Sequence, residues 1–201
     1  MKKITLLVAC IAMACSAAFA EGNISYGAKV GVNLTNLVGK GAKDFHDMKF
    51  GYQVGLFAEF QVAPNIAIAP EVVFSDQGFS NTSEIVFSDN GLSNKTATGD
   101  RIYDYCNYIN VPVMAKFYVA KDLSIDFGPQ VGFMVYNKIA GSDIKDFCNK
   151  VDFGLGIGAS YNFSEKAFIQ ARYNYGLTHV YKDTKDANGN GEIQLSIGYR
   201  F

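Results

Sequence analysis

Apolar and polar residues alternate one for one in eight stretches, while a 3.6-residue period is hard to find. Segment 24–35 places Ile24, Tyr26, Ala28, Val30, Val32 and Leu34 on one face and Ser25, Gly27, Lys29, Gly31 and Asn33 on the other. Segments 50–62, 66–75, 109–119, 123–136, 151–163, 167–177 and 193–201 repeat the pattern. A period of two is the signature of a strand with chemically different faces. Pro70, Pro112 and Pro129 interrupt three consecutive segments. Proline lacks the ladder N–H, so local bulges are expected there.

The connections alternate too. Short turns fall at 63–65, 120–122 and 164–166, and long loops at 36–49, 76–108, 137–150 and 178–192. Short turns at one end and long loops at the other are the layout of outer-membrane barrels. Strands of about 9–11 residues suffice to cross a bilayer at a tilt. A soluble ligand-binding barrel would need an apolar interior. Here the non-apolar face carries Lys29, Glu59, Glu71, Lys116, Asp126, Asp152, Arg172 and Arg200. The predicted fold is therefore all-β, an eight-stranded antiparallel up-and-down transmembrane β-barrel. Its apolar face meets lipid and its charged face lines the lumen. Eight strands leave an interior just wide enough for side chains. Four bases and four acids there are expected to pair and close the lumen.

The N-terminus reads as an export address. Lys2 and Lys3 precede an apolar run from Ile4 to Ala14, and Ala18-Phe19-Ala20 is a small-x-small cleavage site before Glu21. Residues 1–20 are the predicted signal peptide and 21–201 the barrel domain. Removing Lys2 and Lys3 takes 18 basic residues to 16 against 19 acidic ones, a net charge of −3. There is no basic excess to suggest nucleic acid. The same cleavage removes Cys10 and Cys15 and leaves Cys106 and Cys148.

An exported chain with two cysteines permits one disulfide. By parity both face inward, on strands four and six. Two strand spacings of about 4.8 Å exceed the usual Cα separation of about 4.4–6.8 Å for a bridged pair. Both lie at the rim, where their loops can lean together, so a Cys106–Cys148 bridge is expected, with two free thiols as the alternative.

Other motifs carry little. Gly154-Leu155-Gly156-Ile157-Gly158 lies within a strand, whereas a dinucleotide loop joins a strand to a helix. Asp186-Ala187-Asn188-Gly189-Asn190-Gly191 matches half of a calcium loop, but Ile197 stands where the bidentate acid belongs. Weak cation binding by Asp183, Asp186 and Glu192 is the most that segment offers. His46 and His179 have no serine nearby to form a hydrolase pair. No catalytic residue, metal site or cofactor is expected.

Tyr108-Ile109-Asn110-Val111-Pro112-Val113-Met114-Ala115-Lys116-Phe117-Tyr118 resembles the YLxIPLLxKYY strand of PorT-like outer-membrane β-barrels. Phe127-Gly128-Pro129-Gln130-Val131-Gly132 is similar to their next strand. Pro70-Glu71-Val72-Val73-Phe74-Ser75 is similar to their PELLYS segment, and Gly27 through Asn33 to their first strand. The resemblance spans essentially all of 21–201. It implies an integral outer-membrane protein of a Gram-negative bacterium, and many members have no assigned biochemical role. Tyr199 and the final Phe201 are similar to the signal read by the barrel-assembly machinery.

The expected protein is a monomeric, non-enzymatic barrel in contact with outer-membrane lipids. Its four long loops would act in surface interaction or envelope structure, through an extracellular or envelope partner. A narrow pore, a lipid-modifying enzyme and an accessory subunit of a secretion machine are the alternatives.

Overall fold

A computed structural model describes residues 24–39, 49–77, 80–81, 83–88, 91–96, 102–103, 105–138, 151–178 and 188–201. The strands in chain order are β1 (Ile24–Gly39), β2 (Lys49–Ala63), β3 (Ile66–Gln77), β4 (Ser80–Asn81), β5 (Ser83–Ser88), β6 (Gly91–Thr96), β7 (Ile102–Tyr103), β8 (Tyr105–Ala120), β9 (Leu123–Lys138), β10 (Val151–Asn162), β11 (Ala167–Gly176) and β12 (Asn188–Arg200). Eight of them close into a barrel in the order β1-β12-β11-β10-β9-β8-β3-β2, with every neighbouring pair antiparallel. Closure leaves no sheet edge, the condition a β-structure must meet in hydrocarbon.

The register sets the geometry. Following cross-strand partners from Ile24 leads through Phe60, Ile68, Ala115, Phe127, Ile157, Tyr173 and Ile193 and back to β1 at Leu34. The return point is ten residues beyond the start, 34 against 24. With eight strands, that stagger tilts the strands by about 40° from the barrel axis.

The alternation resolves into an outer and an inner face. Val30, Val54, Leu56, Ile157 and Ile197 stand more than half exposed around the waist. Exposed aromatics gather at both strand ends: Tyr26, Tyr161, Phe163, Tyr199 and Phe201 near the short turns, and Phe50, Tyr52, Phe153 and Tyr175 near the long loops. Aliphatic residues between two aromatic girdles are the outer surface of a bilayer-spanning barrel. Phe60 departs from the pattern, being buried although its parity is outward. No helix among the described residues is long and apolar enough to cross a membrane.

Two expectations change. First, the rim is more ordered than a loop-and-strand division suggested. β1 runs on to Gly39 and β12 begins at Asn188, paired as Asn36↔Gly191, Leu37↔Asn190, Val38↔Gly189 and Gly39↔Asn188. β8 likewise starts at Tyr105. Segment 76–108 contains two further antiparallel ladders, β4 with β7 and β5 with β6. Backbone pairing continues past the last alternating positions, since ladder bonds are made by the main chain and need no apolar face, so the alternation ends before the strands do.

Second, the prolines cause no register shift. Pro129 sits opposite Leu155 in an unbroken β9–β10 ladder. On the β3–β8 side the pairs Pro70↔Val113 and Val73↔Asn110 keep one register across Pro112. The irregularities fall instead at Gln61/Ala63, Asn107/Tyr108 and Tyr118/Ala120. Neighbouring ladder bonds hold the register through a single missing donor, whereas strand ends have fewer bonds to hold it.

Candidate functional site

The inward face places its side chains in layers from the short-turn end to the rim. In the lowest layer Glu59, on β2, accepts from Lys116 Nζ of β8 at 2.9 Å and from the Tyr118 hydroxyl. Arg200 Nη2 of β12 lies 3.7 Å from the same carboxylate and its Nη1 donates to Asn162 at 3.0 Å. The Phe168 ring packs against both cations, with Arg200 Cζ 4.7 Å and Lys116 Nζ 5.6 Å from its centre. That ring lies over Gly198, where an added Cβ would enter it. Glycine is required there so that the aromatic can fill the barrel floor.

The middle layer holds the densest network. Arg172, on β11, grips Glu71 with two hydrogen bonds, Nη1 to Oε2 and Nη2 to Oε1, each 2.8 Å. Its Nε and Nη2 also reach Asp126 Oδ2 at 3.1 and 2.9 Å. Lys29 Nζ donates to Glu71 at 2.6 Å and to Gln170 at 3.0 Å. Gln170 donates onward to Ser160, whose hydroxyl is 3.4 Å from Asp126. Met114, fully buried, lies close by. Gly156 makes room above, where a Cβ would stand 3.3 Å from the Met114 methyl and 2.6 Å from Asn174 Oδ1. Three strands therefore meet at Arg172, and Lys29 and Ser160 extend the network to five strands across the middle of the lumen. Fork-shaped guanidinium–carboxylate pairing of this kind is the strong form of a charged contact.

Above lie residues that the loop assignment had concealed. Glu192, Lys49 and Asp76 belong to β12, β2 and β3 and are buried. Lys49 Nζ donates to Asp76 at 2.8 Å and to the Gln77 carbonyl at 2.9 Å. Glu192 is removed from the loop cation site considered above and points into the lumen, where it accepts from Asn33, Ser75, Gln77 and Asn174. Extending the inward parity of Gln194 and Ser196 by two residues would have found it.

Of the eight inward charges read from the sequence, Lys29, Glu59, Glu71, Lys116, Asp126, Arg172 and Arg200 join these ion pairs. Asp152 does not. It is half-buried near the rim and lies outside the ion pairs among the described residues. It sits beside the inward glycines of β9 and β10, which bring no cation to it.

Tyr199 and Phe201 lie on the outer face, their ring centres 6.1 Å apart. The Phe201 amide donates to the Tyr26 carbonyl at 3.0 Å, continuing the barrel seam past β12. Cys106 pairs through its backbone with Gln77 and Asn137. Cys148, Ala20, Glu21, His46, His179, Asp183 and Asp186 lie outside the described residues. Among the described residues no group of three acidic, histidine or cysteine side chains is placed to hold a metal.

A family model described as outer membrane protein beta-barrel domain matches residues 16–182. The chain belongs to the outer-membrane β-barrel protein family. It resides in the outer membrane of a Gram-negative bacterium, with β12 lying beyond the matched residues. Among solved structures it is similar to Ail, the attachment invasion locus protein of Yersinia pestis. That match has 17% identity, covers 90% of this chain and 100% of Ail, and has a TM-score of 0.51. It is also similar to Neisserial surface protein A, at 12% identity, with 90% of this chain and 100% of the other covered and a TM-score of 0.55. At these identities the likeness is one of fold. No curated protein matches the chain.

Proposed function

We propose that this barrel is a closed membrane anchor whose long loops act in surface interaction or envelope structure. The observation that carries this reading is the Arg172 network, which fills the middle of the lumen with buried, paired charges. A conducting pore needs a continuous polar path, and a lumen crossed by two layers of ion pairs offers none. Activity then belongs to what stands outside the bilayer. The ladders β4–β7 and β5–β6 extend the hairpin between β3 and β8 above the rim. Outer-membrane barrels direct their longer loops outward. The likeness to a Yersinia attachment protein and a Neisserial surface protein agrees with a surface role.

The test is a barrel in which residues 80–103 are replaced by a short turn. It should still reach the outer membrane and still migrate faster on gels unboiled than boiled. It should fail to restore surface attachment or envelope integrity to a strain lacking the protein. Full complementation by the shortened barrel would contradict the proposal.

Within this reading residues 1–20 are a cleaved export signal, Phe201 with Tyr199 addresses the barrel-assembly machinery, and the barrel works as a monomer among outer-membrane lipids. Kinship with PorT-like barrels is the finer family assignment, and it keeps an accessory role in a secretion machine as the second reading. Cys106 and Cys148 form a disulfide across the rim. Mass spectrometry without reductant should find their two peptides linked; complete alkylation of both thiols without reductant would reject the bridge.

A further inference from the structure

Three of the barrel ladders have an internal gap in unchanged register, and the three adjoin. Between β2 and β3 pairing reaches Phe57↔Glu71 and resumes at Phe60↔Ile68. Between β3 and β8 it passes from Pro70↔Val113 to Val73↔Asn110, and between β8 and β9 from Pro112↔Gln130 to Ala115↔Phe127. The other five ladders run without a gap.

Each gap holds a proline. Across it Pro70 stands opposite Ala58, Pro112 opposite Glu71, and Pro129 opposite Val113. Proline has no N–H, so the carbonyls of Ala58, Glu71 and Val113 each lose a ladder donor. Within hydrocarbon no water replaces it. The gaps form one line through β2, β3, β8 and β9, so each weak point adjoins the next. The inward residues on that line, Ala69, Pro112 and Met114, are apolar and buried and supply no substitute bond.

The cross-links come from beside the line. Lys116 of β8 donates to Glu59 of β2 at 2.9 Å, passing over β3. Arg172 holds Glu71 of β3 at 2.8 Å and Asp126 of β9 at 2.9 Å, so it joins those strands over β8. Each contact spans one whole strand. Together they bracket all three gapped ladders.

We propose that the wall from β2 to β9 is a lateral seam, loosened by Pro70, Pro112 and Pro129 and held shut by the Lys116–Glu59 and Glu71–Arg172–Asp126 ion pairs. The barrel opens locally along this line before it opens elsewhere, and breaking an ion pair widens the opening there. The lumen charges thus have a second task besides filling the interior. The seam rests on the same ion pairs as the closed-lumen reading, but conductance tests that reading and amide exchange tests this one, so the two can fail separately.

Amide hydrogen exchange on the refolded, isotope-labelled barrel reads local opening residue by residue. The amides of Ala58, Glu71 and Val113 should exchange about tenfold faster than those of Ala171, Arg172, Gln194 and Leu195 in the opposite β11–β12 wall, the upper end of what one hydrogen bond contributes. Pro129 is exposed on the outer face, so Pro129→Ala returns a donor to Val113 without emptying the lumen, and it should slow the exchange of Val113. Lys116→Met should quicken the three seam amides and leave the opposite wall unchanged. Equal exchange of seam and opposite-wall amides in the wild-type barrel would overturn the proposal whether or not the variants fold. So would a Val113 amide unmoved by Pro129→Ala, or an acceleration by Lys116→Met spread evenly around the barrel.

Discussion

Replacing Arg172 by Met is expected to lower the unfolding free energy of the refolded barrel by about 3–5 kcal/mol, the usual cost of removing one partner from a buried ion pair. Two carboxylates depend on this side chain. Glu71 would keep Lys29 at 2.6 Å, but Asp126 would keep only the Ser160 hydroxyl at 3.4 Å. Arg172→Lys should lose less, since it keeps the charge but not the fork that spans Glu71 and Asp126. Combining Arg172→Met with Asp126→Asn should cost less than the sum of the single changes, because the second substitution removes the charge that the first strands. Urea unfolding in liposomes measures all three. A loss under 1 kcal/mol for Arg172→Met would show that the middle layer is hydrated and does not depend on the guanidinium.

The outer face allows an equally direct test. Leu56 is 63% exposed midway along β2, opposite Ala28 and Val72. Leu56→Arg should destabilise the barrel by about 2–4 kcal/mol, the cost of a basic residue on the lipid face near the bilayer centre. On a surface bathed in water the same change would stay within about 0.5 kcal/mol. The two numbers separate lipid from water at this face without reference to any other protein. An unchanged unfolding free energy in liposomes would place Leu56 outside the hydrocarbon.

The reach of sequence reasoning here follows from what alternation encodes. A period of two says which residues share a face, so Lys29, Glu71 and Arg172 are recognisable as inward from the sequence alone. It does not say which inward residues share a level. Glu71 meets Lys29 and Arg172 across separations of 42 and 101 residues. Those meetings depend on the ten-residue stagger of the closed sheet, a property of all eight ladders together. Glu192 was misplaced for a related reason. Leu37, Asn190 and Gly189 are paired as strand through the main chain, yet the residue types there do not alternate. The strand's end therefore leaves no mark in hydrophobicity. Parity puts Asp152 on the inward face, but it says nothing of whether a neighbour carries a compensating charge.

The central claim is that the barrel is shut by its own side chains and acts through what it holds outside the membrane. Planar-bilayer recording on the purified wild-type protein tests it most directly. Insertion without steady conductance is expected, because the Arg172–Glu71–Asp126 and Lys116–Glu59–Arg200 layers cross the lumen. Large, stable single-channel currents from the wild-type barrel would contradict it.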